Sequence, residues 1–422
     1  MRVLVISAAF PPMQVGGADY ALRVGQHLAG RGVDVHVLTA RRAALMTDPR
    51  ITVHPIMRTW GWAELPRLLR CARRVRPDVI DIHFHGAWYN HHPMITFAAT
   101  VLKRALPGIR IVTHIEWPRP VSPAGRALGV RASGKLALLW AGSDRSVWGF
   151  GTLLHESDCV IVLSDSHRVM LEDALPGISG KCLLIPPPPL MRLSSLDHSE
   201  ARDLGRRQLG VTEDDYVLVY FGYVYRQRGM ATLLDALALL APSWPALRLV
   251  VIGAGLDGAA GVAYYESMRA RASSLDLGDR IHWTGYYHTD SEDASLYLHA
   301  ADTCVLPFEG GLHLNNSSFA SAAVHGLPIV STRADTVEPA FRDGGNVMLC
   351  PPGDAAALAA AIRALASDEA LRGRLRAGAL AAAREWFDWD TAMDRTMEAF
   401  GWSGISGTRS HSDVSIDPSC IR

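Results

Sequence analysis

Short apolar runs alternate with segments of helical periodicity in the first part of the chain. The runs lie at residues 2–7, 33–40, 79–84, 109–114 and 159–164. Each is long enough for one strand, and consecutive apolar side chains are typical of strands buried on both faces of a parallel sheet. Between the first two runs, a Pro- and Gly-rich stretch leads into a helical segment that ends in glycine. This order predicts a right-handed β–α–β crossover and a Rossmann-like domain.

The same order of elements starts again near residue 216. Strands are predicted at 216–222, 247–253, 280–285, 303–308 and 327–332, with a helix at 230–241. Between the halves, residues 184–199 include four consecutive prolines, which fit neither a helix nor a central strand and predict a linker. The predicted fold class is therefore α/β, with two Rossmann-like domains facing each other across a cleft. Ligands of such sheets bind beyond the carboxyl ends of the strands, so we expect the site between the domains.

Residues 312–330, LHLNNSSFASAAVHGLPIV, join small polar residues to an alanine-rich segment. They predict an N-cap at Asn316 or Ser317, a short helix from Phe319 to His325, and a left-handed stop at Gly326 before the next strand. The open start of this helix would offer N–H groups and the positive end of its dipole to an anion. In the alternative interpretation, the Asn and Ser side chains only cap the helix.

Composition narrows the range of functions. A chain of 422 residues exceeds the usual size of one core, and its formal net charge of zero argues against binding nucleic acid through bulk phosphate neutralisation. The six cysteines are isolated and no secretory signal is present, so we expect a cytoplasmic protein without thiolate metal sites. No apolar run is long enough to span a bilayer. The basic stretch 65–77 is either a solvated helix face or a weak membrane-surface contact.

Six segments, in their order and spacing, resemble the retaining GT-B glycosyltransferases of family 4 over about residues 1–400. They lie at residues 11–39, 77–83, 220–240, 250–255, 306–332 and 381–400. The resemblance implies an acceptor domain at 1–190, a nucleotide-sugar donor domain at 200–384, and a helix at 385–401 that crosses back to the first domain. Residues 402–422 lose helical and strand periodicity, which predicts a flexible tail. The resemblance also implies a metal-independent transferase without a cofactor, which uses a UDP- or GDP-sugar as substrate and a small molecule as acceptor.

The chain departs from the family in its donor motif. The family usually has two Glu eight positions apart, whereas here Ser321 and His313 stand at these positions in one register, and Ser317 follows Glu309 in the other. The segment therefore resembles a variant branch. We expect the small polar residues to bind the donor phosphates and the sugar to lie against the glycines and His313. The predicted substrate-binding residues of this motif are Gly310, Gly311, His313, Asn315, Asn316, Ser317, Ser318 and Ser321.

Basic residues are needed because breaking the anomeric bond leaves negative charge on the diphosphate. Arg228 precedes the glycine of the family pattern, whereas Tyr223 stands where a second basic residue is usual. Arg226 either replaces that residue or points to solvent. Gly16 and Gly17 resemble the family's glycine loop, although a tight turn before a helix would also need glycine. Since a third glycine is absent, we do not expect a dinucleotide cofactor.

The predicted catalytic residues are His83, His114, Glu116 and Glu309. The histidines come from strand ends that match family motifs, and Glu309 stands in a glycine turn. The histidines between residues 83 and 92 lack the spacing of a metal motif, so no metal is expected. Two alternatives to transfer stay open, a nucleotide-sugar epimerase of the same fold and a non-catalytic nucleotide-sugar binding protein. The acceptor is expected to be a small molecule, with antibiotic or other natural-product biosynthesis as one setting, and the protein a monomer or homodimer.

Overall fold

The computed structural model describes residues 1–45, 48–118, 150 and 152–402. All but the first residue of the predicted flexible tail, 402–422, lie outside these ranges. The described residues form two α/β units with parallel sheets, as predicted. No helix among them combines the length and the apolar character that crossing a membrane requires.

The N-terminal sheet has seven strands in the order β3-β2-β1-β4-β5-β6-β7, and its neighbouring strands pair in parallel. The strands are β1 Arg2–Ser7, β2 Asp34–Ala40, β3 Thr52–Met57, β4 Val79–His85, β5 Arg110–Trp117, β6 Cys159–Val162 and β7 Cys182–Leu184. The strand order reverses between β1 and β4, which is where ligands bind in such sheets. At this point His83 lies opposite Ser7 on one side and opposite His114 on the other.

The helices of this half begin with α1 Gly16–Gly30, followed by α2 Leu65–Val75, α3 Met94–Ala105, α4 Leu153–Glu156 and α5 Asp165–Ala174. The glycines predicted to form a loop before the first helix instead open it, with Val15 as an extended N-cap and Asp19 in the first turn. An acidic residue is favourable there because it faces the positive end of the helix dipole.

The C-terminal sheet has six strands in the order β10-β9-β8-β11-β12-β13. They are β8 Tyr216–Phe221, β9 Leu247–Ile252, β10 Ile281–Gly285, β11 Thr303–Leu306, β12 Ile329–Thr332 and β13 Met348–Cys350. The helices are α6 His198–Leu209, α7 Met230–Leu240, α8 Ala259–Ser274, α9 Asp293–Ala300, α10 Ser317–Val324, α11 Ala355–Ser367, α12 Glu369–Trp386 and α13 Trp389–Ala399. Here the order reverses between β8 and β11, so the two reversal points are the natural walls of the cleft.

The last helix returns to the first domain. Met393 and Met397 of α13 belong to the same buried cluster as Val3 and Val5 of β1. The indole N–H of Trp389 donates to the carbonyl of Pro189 in the proline linker, at 3.0 Å. The helix that crosses back thus begins at Trp389, whereas residues 385 and 386 still belong to α12.

Candidate active site

The helix start at the end of the NNSS run is open. Helix α10 begins at Ser317, two residues earlier than predicted, and Gly326 takes the predicted left-handed conformation with φ +66°. The N-cap, Asn316, does not cap with its side chain, because its Oδ1 accepts from the N–H of His313 at 2.9 Å. Within the described chain, the backbone N–H groups of Ser317 and Ser318 donate to no protein acceptor. The structure therefore favours an anion site over simple capping by the Asn.

Arg228 lies across this helix start. It ends a single 3-10 turn, Arg226–Arg228, that follows β8, and its Nη1 donates to Ser318 Oγ at 3.2 Å. Its Nε donates to the Tyr225 hydroxyl at 3.1 Å, and its guanidinium carbon stands 4.9 Å from the Phe308 ring centroid. These contacts hold a planar cation beside the open N–H groups.

Glycines bring the two segments together. Gly229 has φ +69°, and a Cβ at this position would overlap the carbonyl of Pro307 at the end of β11. A Cβ on Gly222 would stand 2.8 Å from Ser318 Oγ. Only glycine allows the turn of Arg228 to approach β11 and α10 this closely.

The remaining residues of the donor motif occupy different depths. Arg226, Glu309 and Gly310 are exposed. Gly311 is buried and has φ +81°, and only glycine fits there because a Cβ would overlap Ala334. Ser321 is fully buried and donates from Oγ to the carbonyl of Ser317 at 2.9 Å, so its hydroxyl is used within the helix.

Across the cleft from the donor motif stands helix α5. Asn315 Nδ2 lies 3.3 Å from Nε2 of His167 on that helix. Glu338, which sequence analysis did not single out, is 3% exposed and accepts from two domains. Its Oε2 accepts from the N–H of Leu314 at 2.5 Å, and its Oε1 accepts from the N–H of Ser166 at 3.1 Å. Burial raises the pKa of Glu338, and the two N–H groups oppose that shift.

The N-terminal wall is built around glycine. Gly16 has open space where its side chain would be, whereas a Cβ on Gly17 would overlap Trp88 and Glu116. Gly17 therefore leaves room for the side chains of Trp88 and Glu116 against the start of α1, whereas the space beside Gly16 is open. The two glycines that resemble the family loop thus have different surroundings.

Behind Gly16 and Gly17 lies a buried cluster of charged and polar groups. His83 and His114, together with Asp81, have no solvent-exposed surface. The Nε2 atoms of His83 and His114 lie 3.3 and 3.4 Å from the two carboxylate oxygens of Asp81. Glu116 Oε1 lies 3.6 Å from His83 Nδ1, and Tyr20 OH lies 3.2 Å from His114 Nδ1.

The two imidazoles have opposite electrostatic surroundings. Burial disfavours the charged form of His83, but Asp81 and Glu116 outweigh it and raise the pKa of His83 to about 9. Burial lowers the pKa of His114 to about 3, against the attraction of Asp81. Burial also raises the pKa of Glu116, and the neighbouring His83 opposes that shift. At neutral pH this wall therefore holds one cationic and one neutral imidazole.

The structure thus brings three of the four predicted catalytic residues together, while Glu309 lies with the donor motif in the other domain. Contacts between the domains link the two walls. The hydroxyl of Tyr223 donates to Asp19 Oδ2 at 3.0 Å, and Arg23 Nη2 donates to the carbonyl of Thr289 at 2.7 Å. Tyr223, which stands in place of a basic residue, therefore contacts the opposite domain.

Asp81 and Glu338 were missed by sequence analysis. Asp81 was within a segment that we interpreted as a strand, and nothing local marks it as facing two histidines. Glu338 follows β12 in a loop, 172 positions from the N–H of Ser166 that it accepts. A contact at such a separation leaves no local pattern in the sequence.

Two family profiles match the chain. One, described as Glycosyltransferase Family 4, matches residues 15–188, and the other, described as Glycosyl transferases group 1, matches residues 215–368. A D-inositol 3-phosphate glycosyltransferase from a Nocardioides species is 30% identical over 433 residues, which span 94% of this chain and 89% of that protein. A glycogen synthase from Mycobacterium tuberculosis is 25% identical over 440 residues, spanning 95% of this chain and 94% of that protein.

Known structures share the architecture. Anabaena HepE in complex with UDP and glucose superimposes with a TM-score of 0.71 at 19% identity, covering 95% of this chain and 99% of that one. Sucrose-phosphate synthase from Thermosynechococcus elongatus gives a TM-score of 0.70 at 19% identity, covering 95% and 98%. At these identities the likeness shows the fold, which is GT-B. With the 30% identical relative and the two profiles, it leads to one conclusion: the chain belongs to glycosyltransferase family 4.

Proposed function

We propose that the protein is a retaining, metal-independent glycosyltransferase that moves a sugar from a UDP- or GDP-sugar to a small-molecule acceptor. The observation that carries this proposal is the open start of α10 beside Arg228. A diphosphate placed there would accept from the N–H groups of Ser317 and Ser318 and from the guanidinium. These donors would stabilise the negative charge that develops as the anomeric bond breaks.

The likeness to known proteins supports the same donor chemistry. The Anabaena protein HepE has been crystallised in complex with UDP and glucose, and it shares the fold over nearly the full length of both chains. We therefore place the nucleotide in the C-terminal domain, with the sugar against Gly310, Gly311 and His313. Glu309 is then the carboxylate available to sugar hydroxyls in this domain.

The acceptor is proposed to lie against the N-terminal wall, near Gly16 and Glu116. The 30% identical relative is named for D-inositol 3-phosphate, a small polyhydroxylated acceptor. We propose an acceptor of this general kind, with natural-product or antibiotic biosynthesis as the wider setting. The five described cysteines are free thiols, which supports the cytoplasm as the compartment.

The first experiment incubates the protein with UDP- and GDP-sugars, with and without polyol and sugar acceptors. Nucleoside diphosphate released only with an acceptor supports transfer. An isomerised donor would instead identify the epimerase alternative, and saturable donor binding without any product would identify the binding protein. Retention is checked by the anomeric configuration of the product, and metal independence by unchanged turnover in excess chelator.

A substitution tests the anion site directly. Ser317→Asp places a carboxylate at the first position of α10, where it competes with the diphosphate, and we expect UDP or GDP affinity to fall at least about tenfold. Isothermal calorimetry measures the dissociation constant. The matched control is Ala355→Asp at the first position of α11, which should leave nucleotide affinity unchanged. Equal affinity in wild type and Ser317→Asp would remove the diphosphate from this helix start.

A further inference from the structure

Asp81 joins the two imidazoles of the N-terminal wall. Each of its carboxylate oxygens faces the Nε2 atom of a different histidine, at 3.3 Å for His83 and 3.4 Å for His114. The rings of these histidines are stacked, with centroids 4.4 Å apart and an angle of 8° between their planes. All three side chains are fully buried. Within the described chain, none of these four atoms makes a hydrogen bond of good geometry, so the nearest polar partner of each is its opposite atom in this group.

The three side chains lie close enough together to consider a metal ion. The parallel rings argue against one. Rings in contact are about 3.5 Å apart, so an ion between them would lie about 1.7 Å out of each plane. A zinc–nitrogen bond is about 2.0–2.1 Å long and follows the in-plane lone pair. The ring lone pairs of this cluster are therefore not directed at a common point.

Proton positions in the cluster can be worked out from its acceptors. An ionised carboxylate can accept hydrogen bonds but cannot donate them. For Asp81 to accept from both rings, His83 and His114 must each carry a proton on Nε2. His114 is then neutral, and its Nδ1 is free to accept from Tyr20 OH at 3.2 Å. For His83, Nδ1 faces Glu116 Oε1 at 3.6 Å. One proton must lie between these two atoms, because two acceptors facing each other in a buried site would repel.

We propose that Asp81 is a positioning residue for glycosyl transfer: it fixes a proton of each imidazole on Nε2 and so leaves one shared proton on the His83–Glu116 pair beside Gly17. This inference rests on the proposed function. The second oxygen of Glu116 lies directly against Gly17, beside the open position at Gly16. With that proton between Nδ1 and Oε1, Oε2 of Glu116 is left as an acceptor for a hydroxyl group of the bound sugar or acceptor, and Asp81 acts only through His83.

The isosteric variant Asp81→Asn tests this role. An amide keeps one acceptor oxygen but turns an NH₂ donor toward the other imidazole, so one histidine must move its proton to Nδ1. We expect kcat to fall at least about tenfold, as for loss of a positioned acid–base group. We expect KM for the donor sugar to stay within about twofold, because the diphosphate contacts lie in the other domain.

The pH profile separates positioning from mere stability. The titratable and charged groups that face His83 are Tyr20 on α1, Asp81 on its own strand, His114 and Glu116 on β5, and Tyr89 in the following turn. The carboxylates raise the pKa of His83, so the shared proton is present below that pKa and is lost above it. Removing the charge of Asp81 lowers this pKa, and the alkaline limb of kcat should move to lower pH by about one unit or more.

Asp48→Asn controls for a general loss of stability. Asp48 is another largely buried carboxylate of the same domain, and it accepts hydrogen bonds from Gln26 and Arg50. This variant should lower the melting temperature without moving the alkaline limb. An Asp81→Asn variant with the wild-type kcat and pH profile would overturn the proposal.

A direct reading of the tautomers does not depend on any variant being active. Two-bond ¹H–¹⁵N spectra of the ¹⁵N-histidine-labelled wild-type protein, assigned with His83→Gln and His114→Gln, should show His114 neutral with its proton on Nε2. They should show His83 with Nε2 protonated and an Nδ1 signal between the protonated and free limits. A proton on Nδ1 of His114 would overturn the proposal even in an active transferase. If no donor is turned over, the proposed function fails, while the tautomers are still read from these spectra.

Discussion

The guanidinium of Arg228 is the side chain that most defines the donor wall. It contacts Ser318 and Tyr225 by hydrogen bonds and lies over the ring of Phe308, so its plane is fixed before any ligand arrives. A fixed planar fork can hold two oxygens of a phosphate at once, and little conformational entropy is lost on binding. Arg226, two positions earlier, is exposed, and its predicted contact with the donor stays a prediction.

Replacing Arg228 by Lys keeps the charge and removes the fork. We expect Arg228→Lys to lose at least one charge-assisted hydrogen bond, which is worth about 1.5–3 kcal/mol, or about tenfold or more in the Kd for UDP or GDP. Calorimetry at constant ionic strength measures it. Arg70→Lys, on the exposed face of α2, is the control for the substitution itself. A Kd equal to that of wild type would show that only the charge of Arg228 is used.

The role of a single residue could be predicted where its contacts are with neighbours in the sequence, and not where they are with distant segments. The open helix at Ser317 and the stop at Gly326 follow from neighbours in sequence, and both are present in the structure. Asn316 shows the limit, because whether its side chain caps the helix or bonds the N–H of His313 depends on the loop conformation. Asp81 and Glu338 were not predictable, since their partners come from other strands or from the other domain.

At the scale of elements, Glu338 links the donor loop to helix α5. It accepts from the N–H of Leu314, within the loop that leads to α10, and from the N–H of Ser166 in the first turn of α5. One buried carboxylate thus satisfies two backbone donors that belong to different domains. The shape of the donor loop is therefore tied to the position of α5.

Glu338→Gln removes one of these acceptors. A glutamine oxygen can accept from one N–H, but its NH₂ group would face the other, so one buried backbone donor loses its partner. We expect a loss of about 1–3 kcal/mol in the free energy of unfolding and weaker donor binding. Urea unfolding and calorimetry measure the two effects. The control, Glu369→Gln, changes an exposed residue at the start of α12. Unchanged stability and affinity would contradict this role for Glu338.

The sequence pattern predicted the central strands of both sheets and failed at some edges. Strands β7 and β13 have only three residues each, too few to show a pattern. Strand β3 contains His54 and Pro55, which is compatible with an edge strand but weakens the apolar signal. Gly16 and Gly17 were expected before the first helix because glycine disfavours helices, yet both open α1, and at Gly17 only glycine leaves room for the side chains of Trp88 and Glu116.

At the scale of the whole molecule, we expect the buried contact between Asp19 and Tyr223 to make closure of the domains depend on pH. Burial raises the pKa of Asp19 to about 7, against the hydrogen bond from Tyr223 and the charge of Arg23. Separation of the domains would hydrate Asp19 and return it toward its model-peptide value of about 3.9. The closed form thus binds a proton more tightly, so closure is favoured at low pH and weakened as pH rises through about 7.

We therefore expect a smaller radius of gyration at pH 5.5 than at pH 8.5, measured by small-angle X-ray scattering without ligand. Asp19→Asn removes the titrating group and should abolish this difference, while Asp276→Asn, at an exposed position, should preserve it. If the wild-type radius is the same at both pH values, Asp19 does not couple closure to protonation.

The return of α13 means that the first strand and the last described helix are built into one hydrophobic interior. On the ribosome, the first sheet emerges long before the methionines that cover it, and its core stays incomplete until Trp389–Ala399 has been synthesised. A gene divided at the four prolines would consequently yield an N-terminal domain that lacks the helix covering part of its hydrophobic core. The first domain is therefore completed by a segment that follows the second domain in the chain, and the two domains are not independent halves joined end to end.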